Sequence, residues 1–240
     1  MPNSPARNSN IDMTRLNRNG VRYVAREISG SFIHLGVLLI SAGKIWWINA
    51  WVCIGLVLFY QIANALVLIK LNPQLFNERG KLVQASTKLF DKVFIAFYIP
   101  LTLMISIIAG LDAVRYEWSS MSFGVIVLGV AIFVLACPLG SWAMAVNPHF
   151  ETTVLIKEDH QVCTSGPYRI VRHPGYAAEI IGAPSYPLIL GSWWALALVG
   201  ALVFLFVIRT ALEDRALQKE LRGYKEYTEI TRYRLIPFVW

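Results

Sequence analysis

The chain has 240 residues, of which 56% are hydrophobic and only 15% charged, and its mean hydropathy is +0.51. Soluble domains carry about 25% charged residues, so an ordinary water-soluble globule is excluded and an all-α, polytopic membrane bundle of about five or six spans is expected. The net charge of +7 would suit a nucleic acid, but the position of the charges makes such a partner unnecessary.

Residues 1–27 are polar and carry Arg7, Arg15, Arg18, Arg22 and Arg26. No apolar core with a small-residue cleavage site follows them, so a disordered tail running into a basic juxtamembrane helix is predicted. An apolar run at 29–43 is short for a span. Residues 45–69 make a full span, with Trp46, Trp47 and Trp51 as an interfacial belt. A polar stretch, 70–92, contains "NPQLFNERGK" and "KLFDK". The third span is 93–111, a polar turn with Arg115 and Glu117 covers 112–121, and the fourth span is 122–146, with Pro138 as a predicted kink. After the long loop 147–173 comes a fifth apolar helix, 174–190, interrupted by Pro184 and Pro187. It is either a full crossing or half of a re-entrant hairpin. The sixth, 193–208, leads into a charged tail, 209–240. Three regions result: the basic segment 1–27, the N-terminal membrane helices 28–146, and a site-bearing region 147–240.

If all six runs cross and the N-terminus is cytoplasmic, 20 of the 22 Lys and Arg residues fall on the cytoplasmic side, leaving only Lys44 and Arg115 outside. That bias is the signature of the positive-inside rule. It places both termini in the cytoplasm and explains the basic character without nucleic acid. Cys53 and Cys137 lie in apolar runs and Cys163 in a polar loop. No CxxC or Cys/His cluster suggests a metal site or a disulfide frame.

Residues 166–176, "GPYRIVRHPGY", are polar and kinked in an otherwise greasy chain. Gly166-Pro167 breaks what precedes it, and Pro174 suits the first turn of a helix. The helix N-terminus beside Arg169, Arg172 and His173 would favour a carboxylate or phosphate. Tyr168 and Tyr176 offer flat faces with polar tips. The plainer reading is an interfacial turn of snorkelling Arg and anchoring Tyr. Farther on, Arg209 and Glu213 are four apart and share a helix face with Leu217 and Leu221, whereas Asp214 and Arg215 point elsewhere. The plainer reading here is ordinary pairing on a charged helix end. By the topology above, the two clusters meet at one membrane face, which makes a site more plausible than either cluster does alone.

These two clusters, with Gly223, Tyr224, Tyr227 and "RLIPFVW", resemble the isoprenylcysteine carboxyl methyltransferase family of integral membrane enzymes and the related phospholipid methyltransferases. "NPQLFNERGK" and "KLFDK" resemble bacterial members, which implies a bacterial inner membrane. The resemblance implies S-adenosylmethionine as methyl donor at the cytosolic face. It implies Gly166, Pro167, Tyr168, Arg172, His173, Tyr176 and Glu213 around the cofactor, with Arg209 and Glu213 catalytic where cofactor and acceptor meet. Asp214 stands where many relatives have a second Glu. The membrane architecture leads us to expect a lipophilic or small carboxylate, thiol or amine acceptor that enters sideways between helices, though no residue of the sequence names it. The RHPxYxxE pattern, completed here by Glu179, also occurs in steroid 5α-reductase-like membrane reductases, so an NADPH-dependent reductase is the alternative.

Other polar residues carry less. His34 reads as a satisfied core histidine. His149 and His160, with Glu151, Glu158 and Asp159, read as a solvated loop, Gln61 and Asn64 as helix–helix glue or substrate contacts, and Glu78-Arg79-Gly80 as a cover over the site.

Overall fold

The computed structural model describes residues 16–81, 87–154, 156 and 160–240. Arg7 and Arg15 of the expected tail, and Glu158 and Asp159 of the long loop, lie outside the described residues. The described residues form helices and connecting turns, with no strand among them.

Helix α1 (Arg18–Ala42) opens on Asn17, whose side chain accepts from the N–H groups of Asn19 and Gly20, and closes on Gly43 at φ 67°. The basic juxtamembrane segment and the short apolar run are therefore one helix. Its 25 residues rise about 37 Å at ~1.5 Å each, enough to cross a bilayer. Helix α2 (Ile48–Leu71) returns, and the short α3 (Pro73–Arg79), capped by the Asn72 side chain, lies at its end. Helix α4 (Leu89–Gly110) continues through a π-helical turn, Leu111–Arg115, and α5 (Phe123–Val146) runs back.

The fifth apolar run is broken into α6 (Pro174–Gly182) and α7 (Ser185–Leu190), with Pro184 at the junction. It nevertheless runs the whole length of α5. Gly140 faces Ala178, Gly182 faces Ala136 and Gly129 faces Leu188 and Ile189. The broken helix thus delivers the chain to the far end of the bundle, and it does not fold back as half of a re-entrant hairpin. There the buried Asp112 accepts from the hydroxyls of Ser119 and Ser192 and from the N–H of Trp194. Helix α8 (Trp193–Glu220) starts at this anchor and returns to the site end, followed by α9 (Tyr224–Ile230). Among the described residues five helices are individually long and apolar enough to span, namely α1, α2, α4 with its π turn, α5 and α8. The α6–α7 pair supplies the sixth passage.

The main core is Leu35, Leu38, Ile54, Phe94, Ile105, Ile189, Leu202 and Phe206. Phe59, Leu66, Phe97, Leu135 and Phe204 point outward and are exposed, as lipid-facing positions require. Cys53 is buried and all three cysteines are free. His34 is satisfied, its Nδ1 2.8 Å from the Ser106 hydroxyl, which also meets Tyr186 Oη at 2.9 Å. Gln61 joins α2 to α1, accepting from Ser31 at 3.1 Å.

Candidate active site

The 166–176 motif is held from behind. Gly166 has φ +56°, and a Cβ there would lie 2.8 Å from Trp142 Nε1. Pro167 is fully buried behind it. The carbonyl of Tyr168 accepts from Tyr227 Oη at 2.6 Å and from Thr231 Oγ1 at 3.2 Å, while Tyr168 Oη accepts from Asn147. Burial pushes the Tyr168 phenol well above its ordinary pKa, and pushes that of Tyr227 up to about 12, so both stay neutral donors or acceptors. Gly175 lets the ring of Phe150 approach, since a Cβ there would stand 2.5 Å from two ring carbons.

Asp214, fully buried, is the knot of the assembly. It accepts from Arg172 Nε at 2.8 Å and Nη2 at 3.1 Å, Arg234 Nε at 2.8 Å, Gln218 Nε2 at 2.8 Å and Tyr224 Oη at 3.1 Å. Arg172 Nη1 donates to the carbonyls of Thr231 and Arg232, and the backbone N–H groups of Arg172 and His173 donate to the carbonyls of Tyr233 and Arg234. Burial works against the Arg172 charge, but the hydrogen bonds and charge of Asp214 outweigh it and raise its pKa. Burial, with Asp214 beside it, also raises that of Tyr224. Arg172, expected at an anion site, thus directs its guanidinium to Asp214 and the C-terminal segment. The role of Asp214, the least legible in sequence, is to clamp that segment onto the motif.

The opposite face of α8 points into a cavity of about 1220 Å3. Glu213 Oε2 accepts from Tyr176 Oη at 2.6 Å, and Glu213 Oε1 lies 3.7 Å from His173 Nδ1. The His173 ring lies parallel to Tyr176 at 5.8 Å, with its Nε2 3.3 Å from Asp214. His173 therefore bridges the structural and cavity-facing carboxylates. Arg209 is held between two aromatic faces, 4.2 Å from the Phe94 centroid and 5.2 Å from that of Tyr176, a favourable cation–π setting. Its Nη2 donates to Asp91 at 2.8 Å and to the Thr152 carbonyl at 2.6 Å. Its Nε lies 3.9 Å from Glu213 and is buried without a hydrogen-bond partner.

The structure therefore brings Tyr168, His173, Tyr176, Arg209 and Glu213 to the cavity, while Gly166 and Pro167 do not line it. Sequence reasoning missed Asp91. It is fully buried on α4, holds Arg209 with one oxygen and accepts from the Val154 N–H at 2.8 Å with the other. An acid in the first turn of an apolar span, within "KLFDK", was the signal that could have found it. His149 and His160, read as a solvated loop, instead stack at 4.1 Å and line the cavity. Arg79, Glu179 and Asn64 line it too. No group of three or more potential metal ligands occurs among the described residues.

Comparison with known proteins matches residues 127–219 to the isoprenylcysteine carboxyl methyltransferase (ICMT) family. Over 91 residues the chain is 35% identical to the Delta(14)-sterol reductase TM7SF2 of Mus musculus, which is 37% of this chain and 22% of that protein. The chain thus spans about a fifth of the length of that curated relative. The matched residues run from α5 to α8 of this helical membrane protein and include the 166–176 motif, Arg209 and Glu213.

Proposed function

We propose that the protein is an S-adenosylmethionine-dependent methyltransferase acting on a lipophilic or small carboxylate, thiol or amine acceptor. The observation that carries the reading is the cavity itself. One end has a charged cluster, Arg209, Glu213, His173 and Tyr176, and the interior is walled by Ile54, Phe133, Ile189 and Leu202. Ligand sites commonly measure about 300–1,000 Å3, so this cavity has room for a polar donor beside a greasy acceptor.

The residues fit the cofactor. The buried Arg209 Nε has no partner and faces the Glu213 side, so a polar ligand group is called for. S-adenosylmethionine, when bound, supplies an electrophilic methyl on a cationic sulfur. Glu213 and the Tyr176 face complement cationic charge. Asp214 and Arg172 act behind them by holding His173 and the start of α6 in place. Arg209, kept planar between Phe94 and Tyr176 and tethered by Asp91, is positioned to orient an acceptor carboxylate. With an amine or thiol acceptor, Glu213 takes the proton. Orientation and fixed electrostatics carry most of the rate. The charge bias supports cytoplasmic placement of both termini, and the resemblance of "NPQLFNERGK" and "KLFDK" to bacterial members supports a bacterial inner membrane. The division at residues 28–146 and 147–240 holds in this reading as a membrane frame and a cofactor region, with Asp91 and Phe94 lent by the former.

One second reading has an observation in its favour. The partial similarity to a sterol reductase, with Glu179 completing RHPxYxxE, supports an NADPH-dependent reductase. Calorimetric titration of S-adenosylhomocysteine and then NADPH into detergent-purified protein, with Glu213→Gln alongside, decides between them. Saturable binding of the first, weakened in the variant, is expected. Binding of NADPH alone would replace the methyltransferase by the reductase.

A further inference from the structure

A second group of polar residues, on α2, α3 and α6, lines the same cavity. Arg79 ends α3 with its guanidinium 5.1 Å from the Tyr23 centroid and 5.3 Å from that of Phe150. Its Nη1 donates to the Phe150 carbonyl at 3.3 Å, but its Nε is buried with no hydrogen-bond partner. Asn64 Oδ1, on α2, is likewise buried and without a partner. Glu179 projects from α6 into the cavity. It keeps open surface and lines the cavity together with Tyr60, Tyr98 and Cys137. Glu179 feels the charge of Arg79, yet the two form no ion pair and Glu179 accepts no hydrogen bond among the described residues.

Buried polar groups are almost always satisfied, and exceptions call for an explanation. Here an empty donor, Arg79 Nε, and two empty acceptors, Asn64 Oδ1 and the Glu179 carboxylate, share one cavity. Among the described residues no side chain hydrogen-bonds to these atoms. A cation and a carboxylate that see each other without touching are complemented by a neutral group that accepts at one end and donates at the other. A simple anion satisfies only Arg79, and a simple cation only Glu179. A hydroxyl or a primary amide satisfies both and adds no net charge to an apolar cavity.

We infer that Arg79, Glu179 and Asn64 form a second binding pole, which selects an amphiphilic acceptor carrying a hydroxyl or amide beside its methyl-accepting group. The identification of this ligand as the acceptor rests on the methyltransferase reading; the pole itself does not. Tyr176, which touches Glu213, and Glu179 stand three residues apart on α6, about 4.5 Å of rise. The anchored group and the reacting atom of the acceptor therefore lie along one face of α6, with the hydrocarbon tail against the apolar cavity wall.

The test is equilibrium binding of radiolabelled dodecanol to the full chain in nanodiscs, corrected with empty nanodiscs. A saturable component is expected, displaced by dodecanamide but not by methyl dodecyl ether, which accepts without donating. In Arg79→Gln and Glu179→Leu the affinity should fall about tenfold, the worth of a hydrogen bond to a charged group, and Asn64→Leu should weaken it less. Thermal melting followed by circular dichroism checks that each variant is folded, and the ether competition on the unaltered protein needs no variant. The pole is overturned if no saturable component exists, if the ether competes as well as the amide, if only dodecanoate competes, or if folded variants bind as the unaltered protein does. Failure of S-adenosylhomocysteine binding alone would remove the methyltransferase reading and leave the pole standing.

Discussion

Asp214→Ala should loosen the whole site end of the molecule. Asp214 is fully buried and receives two hydrogen bonds from Arg172, at 2.8 and 3.1 Å, and one from Arg234 at 2.8 Å. Tyr224 and Gln218 also donate to it. Removing one partner of a buried ion pair leaves the other charge uncompensated, a cost of about 3–5 kcal/mol. For a chain of this size each kcal/mol lowers Tm by roughly 2–4 °C, so a fall of ~10 °C is expected. Thermal unfolding of detergent-purified protein, followed by circular dichroism, measures it. Limited proteolysis should cut first near residues 221–236, because Arg172 no longer holds the Thr231 and Arg232 carbonyls against the motif. Arg172→Met combined with Asp214→Leu should recover part of the loss, since the pair then leaves no lone charge between them. If Asp214→Ala melts with the unaltered protein, the carboxylate is no knot and the account of Arg172 fails with it.

Three further outcomes follow from the geometry. Asp91→Asn should weaken the hold on Arg209 and free the 152–154 strap, raising KM for a carboxylate acceptor more than it lowers kcat, as read in steady-state assays. Gly175→Ala must push the Phe150 ring aside, because the new Cβ would lie 2.5 Å from it; overpacking of this kind costs about 1–3 kcal/mol, visible as a lower Tm. Burial disfavours the Tyr227 phenolate and pushes its phenol from the ordinary 10.0 up to about 12 in the folded chain. The unfolded chain loses that proton first, so stability should decline as pH rises from 10 towards 12, with a shallower decline in Tyr227→Phe when melting is compared at pH 9 and 11.

Composition and charge placement determined a good deal without coordinates. Long apolar runs must be helices in a bilayer, because nothing else there satisfies the backbone, and the Lys and Arg bias predicts which ends lie together. Spacing alone placed Arg209 and Glu213 on one face of α8 and Asp214 on another, since side chains four apart stack and adjacent ones diverge. The tertiary structure decided what spacing does not encode. Whether a broken apolar run crosses or returns depends on what receives its far end, and that is Asp112, 80 residues before Ser192. Whether Arg172 meets a ligand or a carboxylate depends on the path of the chain from 214 to 234. Asp91 and Arg209, separated by 118 positions, meet only because α4 packs on α8. Local pattern is a property of neighbours in the chain, whereas a site is made by neighbours in space.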